Sequence, residues 1–82
     1  MKVVYKKLYD IELYTFFIQG KRAGIISYIQ NEPGYIYIQY IFVEEEFRKR
    51  DYSTKFFRYF EKLHPYYTFF LYTKECNKKY KN

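Results

Sequence analysis

Short runs of aromatic and β-branched residues, separated by turn signals, make up the first half of the chain. Runs of this kind are typical of β-strands. They predict strands over residues 3–9, 12–19, 24–30 and 35–43. The segment 20–22 predicts a turn, so the strands on either side of it are expected to pair as a hairpin. Asn-Glu-Pro-Gly at 31–34 is the strongest turn signal in the sequence.

Strand 35–43 is largely apolar on both of its faces. Regular alternation would put the odd-numbered residues on one face of the strand. The even-numbered residues would lie on the other face, namely Ile36, Ile38, Tyr40 and Phe42. Because both faces are largely apolar, we predict a central strand that is covered on both sides.

The period of the apolar residues changes in the second half of the chain. Intervals of three or four residues separate Tyr52, Phe56, Phe60 and Leu63. This spacing predicts an amphipathic helix over residues 52–63, whose apolar face Phe57 widens. Asp51 or Ser53 is the expected N-cap, because either side chain can accept from the first-turn amides. The helix is expected to end before Pro65.

Residues 67–73 again show a strand pattern, whereas residues 74–82 are polar and predict a short helix or a loose tail. A strand, a helix and a second strand form a βαβ unit, whose two strands run parallel through a right-handed crossover. The sequence therefore predicts one domain, residues 1–82, of the α/β (α+β) class. Its expected sheet is mixed and mostly antiparallel, with one main crossover helix.

Length and composition limit the functions that the chain can have. With 82 residues it forms one small domain, which excludes a large enzyme with its own cofactor domain. Hydrophobic residues make up 49% of the chain and aromatic residues 27%, which excludes an intrinsically disordered chain. The net charge of +6 indicates attraction to an anion: a nucleotide-type ligand, a nucleic acid, an acidic protein or a membrane surface. A basic surface without a specific partner accounts for the charge equally well.

Cysteine and histidine occur once each, as Cys76 and His64. A single cysteine excludes an internal disulfide, and one Cys/His pair argues against a zinc site. Both facts favour a cytoplasmic protein without a metal. The densest apolar run, 35–43, is too short to span a bilayer, and residues 1–10 lack the apolar core of a signal peptide. We therefore expect no membrane insertion.

The junction between strand 35–43 and helix 52–63 carries the clearest chemical signal. A helix N-terminus presents unpaired amides and a partial positive charge. Arg48, Lys49 and Arg50 add three cations directly before the first turn. This combination predicts an anion site, most naturally for phosphate, whereas the alternative is a charged segment exposed to solvent.

Around this junction the sequence resembles the GNAT superfamily of acetyl-CoA-dependent N-acetyltransferases. In that family a strand ending in Val is followed four residues later by an aromatic-Arg pair, and then by R/Q-x-x-G-x-G/A leading into a helix. Val43, Phe47 and Arg48 match in type and spacing, and Ser53 matches the last small position loosely. Asp51 stands where the pattern has its first Gly. The family's usual last helix and two strands have no counterpart, so the resemblance is to a divergent, truncated member.

The resemblance implies a mixed sheet that opens after strand 35–43 and holds the pantetheine of acetyl-CoA in the opening. Phe42 and Val43 would contact the pantetheine. The pyrophosphate would lie on the loop and the first helical turn, at Arg48, Lys49, Arg50, Asp51, Tyr52 and Ser53.

The resemblance also implies direct transfer of an acetyl group to an amine. The amine must first lose a proton, and the leaving thiolate must gain one. Glu44, Glu45 or Glu46 would serve as the base, directly or through water. Tyr72 or Tyr80 would serve as the acid.

Two other functions stay open. A catalytically silent GNAT-like protein, from a mobile element or a virus, would act as an interaction module and associate with itself or with another protein. A basic nucleic-acid-binding domain would use Tyr28, Tyr35 and Tyr37 as a platform on which bases stack.

Overall fold

One five-stranded sheet and one α-helix dominate the part of the chain that the computed structural model describes, residues 1–30 and 32–71. The strands are β1 (Lys2–Leu8), β2 (Ile11–Ile18), β3 (Lys21–Ile29), β4 (Tyr35–Val43) and β5 (Thr68–Leu71). A 3₁₀ helix, Glu45–Arg50, and the α-helix α1, Tyr52–Leu63, connect β4 to β5. The strands lie in sequence order, with β1 to β4 antiparallel and β5 parallel to β4. These features confirm the predicted α+β class with a mixed, mostly antiparallel sheet and one main helix.

The hairpin between β2 and β3 turns earlier than predicted. Gln19 and Gly20, with φ of 52° and 80°, form its two-residue loop. Positive φ at both positions matches the twist of the flanking strands. Lys21 and Arg22, predicted as part of the turn, therefore already belong to β3.

Aromatic side chains of α1 dock on one face of the sheet. Phe56 and Phe60 are fully buried, and Phe56 stacks on Phe16 of β2 with the ring centroids 4.3 Å apart. Phe60 meets Tyr28 of β3 edge to face, at a centroid distance of 4.9 Å. Leu63, the last residue of the predicted apolar stripe, is 45% exposed. The helix therefore docks through the middle of the stripe rather than its end.

Gly24 of β3 lies directly beneath Phe56. A Cβ at residue 24 would come within 2.6 Å of both Phe56 Cε2 and the carbonyl oxygen of Phe42. Side chains in a close-packed interior cannot approach this closely without displacing their neighbours. Glycine at this position therefore sets how near α1 comes to the sheet.

The other face of the sheet, which we call the open face, is not covered by any described element. Paired residues of adjacent strands lie on the same face, so the register defines its members. They include Val4, Leu8, Ile11, Leu13, Phe17, Ile25, Ile29, Tyr35, Tyr37, Tyr40, Phe42 and Phe70. Among the described elements, β4 is therefore covered on one side and not, as predicted, on both, and its Tyr40 is 43% exposed.

A β-bulge in β4 also changes which of its residues share a face. The pairing with β3 skips Gln39, which is thereby the extra residue. Beyond it the alternation is shifted by one residue, so Ile41, and not Tyr40, shares the helix-covered face with Ile38. The prediction that the even-numbered residues of β4 share one face is therefore wrong beyond the bulge.

A carboxylate on β2 ties two tyrosines together on the helix-covered face. Glu12 Oε1 accepts a hydrogen bond from the Tyr5 hydroxyl at 2.6 Å and another from the Tyr28 hydroxyl at 3.3 Å. The bond to Glu12, with some desolvation, raises the pKa of Tyr5 to about 12, because an ionised hydroxyl could no longer donate. Desolvation by burial raises the pKa of Tyr28.

We expect Gly24→Ala to lower the free energy of unfolding by about 1–3 kcal/mol, because the added methyl group must displace Phe56 or the β4 backbone. Urea denaturation measures the change. Gly20→Ala is the control, because a Cβ added at residue 20 has no atom within 4 Å. Its only unfavourable effect is an alanine at a φ of 80°, which should lower the free energy of unfolding by about 1 kcal/mol. Gly24→Ala that is no more destabilising than this control would contradict the close approach of α1.

Glu12→Gln should return the pKa of Tyr5 from about 12 toward its usual value of about 10. The folded pKa is raised, so the contribution of the hydrogen bond to stability is complete below pH 10 and disappears as pH rises from about 10 to 12. NMR titration of a labelled Tyr5 ring reads the pKa directly. Tyr5→Phe identifies the signal, and an unchanged pKa in Glu12→Gln would refute the assignment.

Candidate functional site

In the described residues, the ladder between β4 and β5 runs from the pair Tyr35/Thr68 to the pair Ile38/Leu71, just before the bulge residue Gln39. Beyond the bulge, β4 stays paired with β3 to its end, and the described part of β5 does not extend alongside it. Within residues 1–30 and 32–71, β5 therefore accompanies only the first part of β4.

A cavity of about 290 Å³ lies where this ladder ends. Its lining comes from β4, the first turns of α1 and β5, namely Ile38, Ile41, Ser53, Thr54, Phe57, Phe69 and Phe70. Successive residues of a strand point to opposite faces, and both Phe69 and Phe70 of β5 belong to the lining. Ser53 and Thr54 make the end at the helix polar, while the rest of the lining is apolar.

A residue in the left-handed region joins the 3₁₀ helix to α1. Asp51, with φ of 58° and ψ of 31°, ends the first helix and occupies the predicted N-cap position of the second. Its carboxylate accepts a hydrogen bond from the Thr54 hydroxyl at 2.9 Å, but none from the backbone of α1. The prediction that this side chain satisfies the first-turn amides was therefore wrong. Those amides, beside the polar end of the cavity, carry no side-chain cap.

The three cations before α1 have different surroundings. Arg48 Nε donates to the Val43 carbonyl oxygen at 2.8 Å, and its guanidinium carbon lies 5.5 Å from the centroid of the Phe42 ring. Arg48 thereby fastens the 3₁₀ helix to the end of β4. Lys49 and Arg50 are exposed, and neither forms an ion pair with another described residue. They are the cations available to attract an anion.

The glutamates predicted as bases follow the end of β4: Glu44 precedes the 3₁₀ helix, and Glu45 and Glu46 begin it. Glu44 accepts from Arg22 Nε at 2.8 Å, and Glu46 Oε2 lies 3.8 Å from Lys21 Nζ. Glu45 is exposed, and none of the three lines the cavity. Because Lys21 and Arg22 belong to β3, these ion pairs fasten the segment to the start of that strand.

The residues that the resemblance implies for acetyl-CoA are only partly brought together. Ser53 lines the cavity. Val43 and Tyr52 are half-buried, and Phe42 lies on the open face beside Arg48.

The implied acids, Tyr72 and Tyr80, lie outside the described residues, as does Cys76. Their roles stay predictions, as do those of the glutamates. Within the described lining, the polar side chains are the hydroxyls of Ser53 and Thr54.

Most of the apolar lining was not predicted from the sequence. Ile38 and Ile41 are three residues apart and reach the same cavity because the bulge shifts the alternation of β4. Phe57 did give a signal, since it is an apolar residue outside the stripe by which α1 docks. It packs against Phe69 of β5, with ring centroids 5.8 Å apart, and so closes one side of the cavity.

Within residues 1–30 and 32–71, no cluster of His, Cys, Asp and Glu side chains is suited to hold a metal ion. No helix in the same residues is long and apolar enough to cross a bilayer. The chain matches none of the family models and none of the curated proteins with which it was compared. Its function is therefore inferred from the geometry of the cavity and its surroundings.

The left-handed backbone at Asp51 predicts an unusual order of stability among variants. Asp51→Gly should be more stable than Asp51→Ala by about 1 kcal/mol, because glycine alone adopts positive φ without strain. Both variants lose the bond from Thr54, so this loss cancels in the comparison. Urea denaturation of the two variants measures the difference. An alanine variant as stable as the glycine variant would contradict the left-handed conformation.

Proposed function

We propose that the chain binds acetyl-CoA and transfers its acetyl group to an amine, as its resemblance to the GNAT superfamily implies. The observation that carries this proposal is the cavity at the end of the β4–β5 ladder, directly beside the first turn of α1. In the GNAT superfamily, which the sequence resembles, an opening at this position receives the pantetheine.

The shape and lining of the cavity support a slender apolar chain as its occupant. Sites that enclose a whole small molecule usually measure about 300–1,000 Å³. A volume of about 290 Å³ therefore suits the pantetheine arm and the acetyl group, with the nucleotide outside.

The junction before α1 supports the binding of a pyrophosphate. First-turn amides without a side-chain cap carry partial positive charge, and Lys49 and Arg50 add two exposed cations. Asp51 acts in the opposite direction, because its carboxylate adds negative charge at the same place. The GNAT pattern has a glycine at this position, so we expect the pyrophosphate to bind more weakly here than it would with a glycine.

For the chemistry we retain the roles that the resemblance implies. Acetyl-CoA supplies the activated acetyl group. Glu44 or Glu45 would receive the proton of the amine through water, and Tyr72 or Tyr80 would return one to the thiolate. The ion pair of Glu44 with Arg22 holds that carboxylate in place at the end of β4.

A titration with acetyl-CoA tests the proposal. Binding of acetyl-CoA to the folded chain should raise its melting temperature by mass action. The increase should be larger than the increase produced by the same concentration of 3′-phospho-ADP, which is the nucleotide half of the ligand. With an amine present, free thiol should appear. Equal shifts with both ligands would indicate attraction of an anion without use of the cavity, and no shift at millimolar acetyl-CoA would refute the proposal.

Thr54→Trp locates the binding, because the large ring fills the cavity from the first turn of α1. We expect this variant to lose the additional shift with acetyl-CoA and to retain the response to 3′-phospho-ADP. Glu61→Trp is the control, since this exposed residue lies near the other end of the same helix. Melting of both variants without ligand shows whether they fold. A full acetyl-CoA shift in folded Thr54→Trp would exclude the cavity as the site.

A second candidate function is that of an interaction module without catalysis. The observation that favours it is the open face, where large apolar side chains remain exposed. Association with a second copy or with another protein would cover them. For either function we propose a cytoplasmic setting, which the single cysteine of the sequence supports.

Nucleic-acid binding has less support than either. Of the three tyrosines predicted to form a stacking platform, Tyr28 is buried beneath α1, whereas Tyr35 and Tyr37 lie on the open face. The three rings are therefore on opposite sides of the sheet. They do not form one platform.

A further inference from the structure

The open face carries one continuous apolar surface rather than scattered apolar residues. One row of paired residues crosses all five strands, from Leu8 and Ile11 through Ile29 to Tyr37 and Phe70. A second row runs parallel to it, from Val4 on β1 to Phe42 on β4. Exposed fractions between 36% and 45% are found for Val4, Leu8, Ile11, Tyr40, Phe42 and Phe70. Apolar patches of this extent mark interaction surfaces.

The size of this face matches what a stable interface needs. Five strands of four to nine residues, with a rise of about 3.3 Å per residue and a spacing of about 4.8 Å, give a projected area of roughly 500–600 Å². The accessible area of protruding side chains is larger than this projection. A standard interface buries about 800 Å² on each partner. The open face is therefore large enough to bind a folded partner by itself.

The distribution of charge favours a protein partner over a nucleic acid. In the rows through Val4, Lys6 and Leu8, every position on β2, β3 and β4 is uncharged. Lys2 and Lys6 lie on β1, at the edge of the sheet. An uncharged centre with a charged rim is typical of protein interfaces, whereas a nucleic acid needs cations beside the stacking rings.

We propose that a second copy of the chain covers the open face, with the two sheets packed face to face and the helices outside. The two halves of the face differ, since the β1–β2 half carries mainly aliphatic side chains and the β4–β5 half mainly aromatic ones. A twofold axis along β3 brings the aliphatic half of each copy against the aromatic half of the other. The same axis places Leu8 of each copy opposite Phe70 of the other, because both residues belong to one row of paired positions.

Sedimentation equilibrium of the full chain from about 1 to 100 μM tests the proposal, and we expect a dimer. Tyr40→Glu and Phe42→Glu each put a charge into the apolar face and should weaken the dimer at least about tenfold. Tyr66→Glu is the matched control, because this tyrosine is 93% exposed in the turn after α1 and lies outside the sheet. Circular dichroism confirms that each variant folds.

Cross-linking tests the pairing of the halves. In a Cys76→Ser background, a mixture of Leu8→Cys and Phe70→Cys chains should cross-link through a short bis-maleimide more efficiently than either chain alone. Equal cross-linking of Leu8→Cys with itself would overturn the proposed axis. A monomer over the whole concentration range would overturn the dimer, and salt-dependent binding of a short single-stranded oligonucleotide to that monomer would assign the face to nucleic acid.

Discussion

The docking of Phe56 and Phe60 onto one face of the sheet is the contact on which the rest of the structure depends. Phe56 stacks on Phe16 at 4.3 Å, and the absence of a side chain at Gly24 allows the ring to lie directly on β3. Within the described residues, α1 is the only α-helix, so these contacts provide most of the core. They also fix the first turn of α1 beside the end of β4, where the cavity forms.

Covering one face with one helix leaves the chain with two unequal surfaces. The helix-covered face is closed by aromatic rings, whereas the open face keeps Tyr40 and Phe42 at its surface. A small domain buries only about 60% of its unfolded surface, so residual exposure is expected, but its concentration on one face is not. The open face gives the domain a surface for a partner, and Phe70 belongs both to this face and to the lining of the cavity.

The cavity results from two backbone irregularities that act together. The bulge at Gln39 shifts the alternation of β4, so that Ile38 and Ile41 both line the cavity. The left-handed residue Asp51 ends the 3₁₀ helix and starts α1 in a new direction, which brings Ser53 and Thr54 to the polar end of the same cavity. Backbone irregularities of this kind often occur where a protein binds a ligand.

The sequence alone determined the elements, because apolar periodicity and turn residues are local properties. The helix at Tyr52–Leu63 and β4 at Tyr35–Val43 have the predicted bounds, and the positive charge before α1 was evident as well. Only the tertiary structure decided where the cavity lies, and that the described elements leave one face of the sheet uncovered. Both depend on pairing and docking between residues that are distant in sequence. Gln39 is an example, because it is a bulge residue only through the register in which β4 pairs with β3. Local sequence patterns cannot predict strand register or docking, because each residue has the same sequence neighbours whichever strand pairs with it.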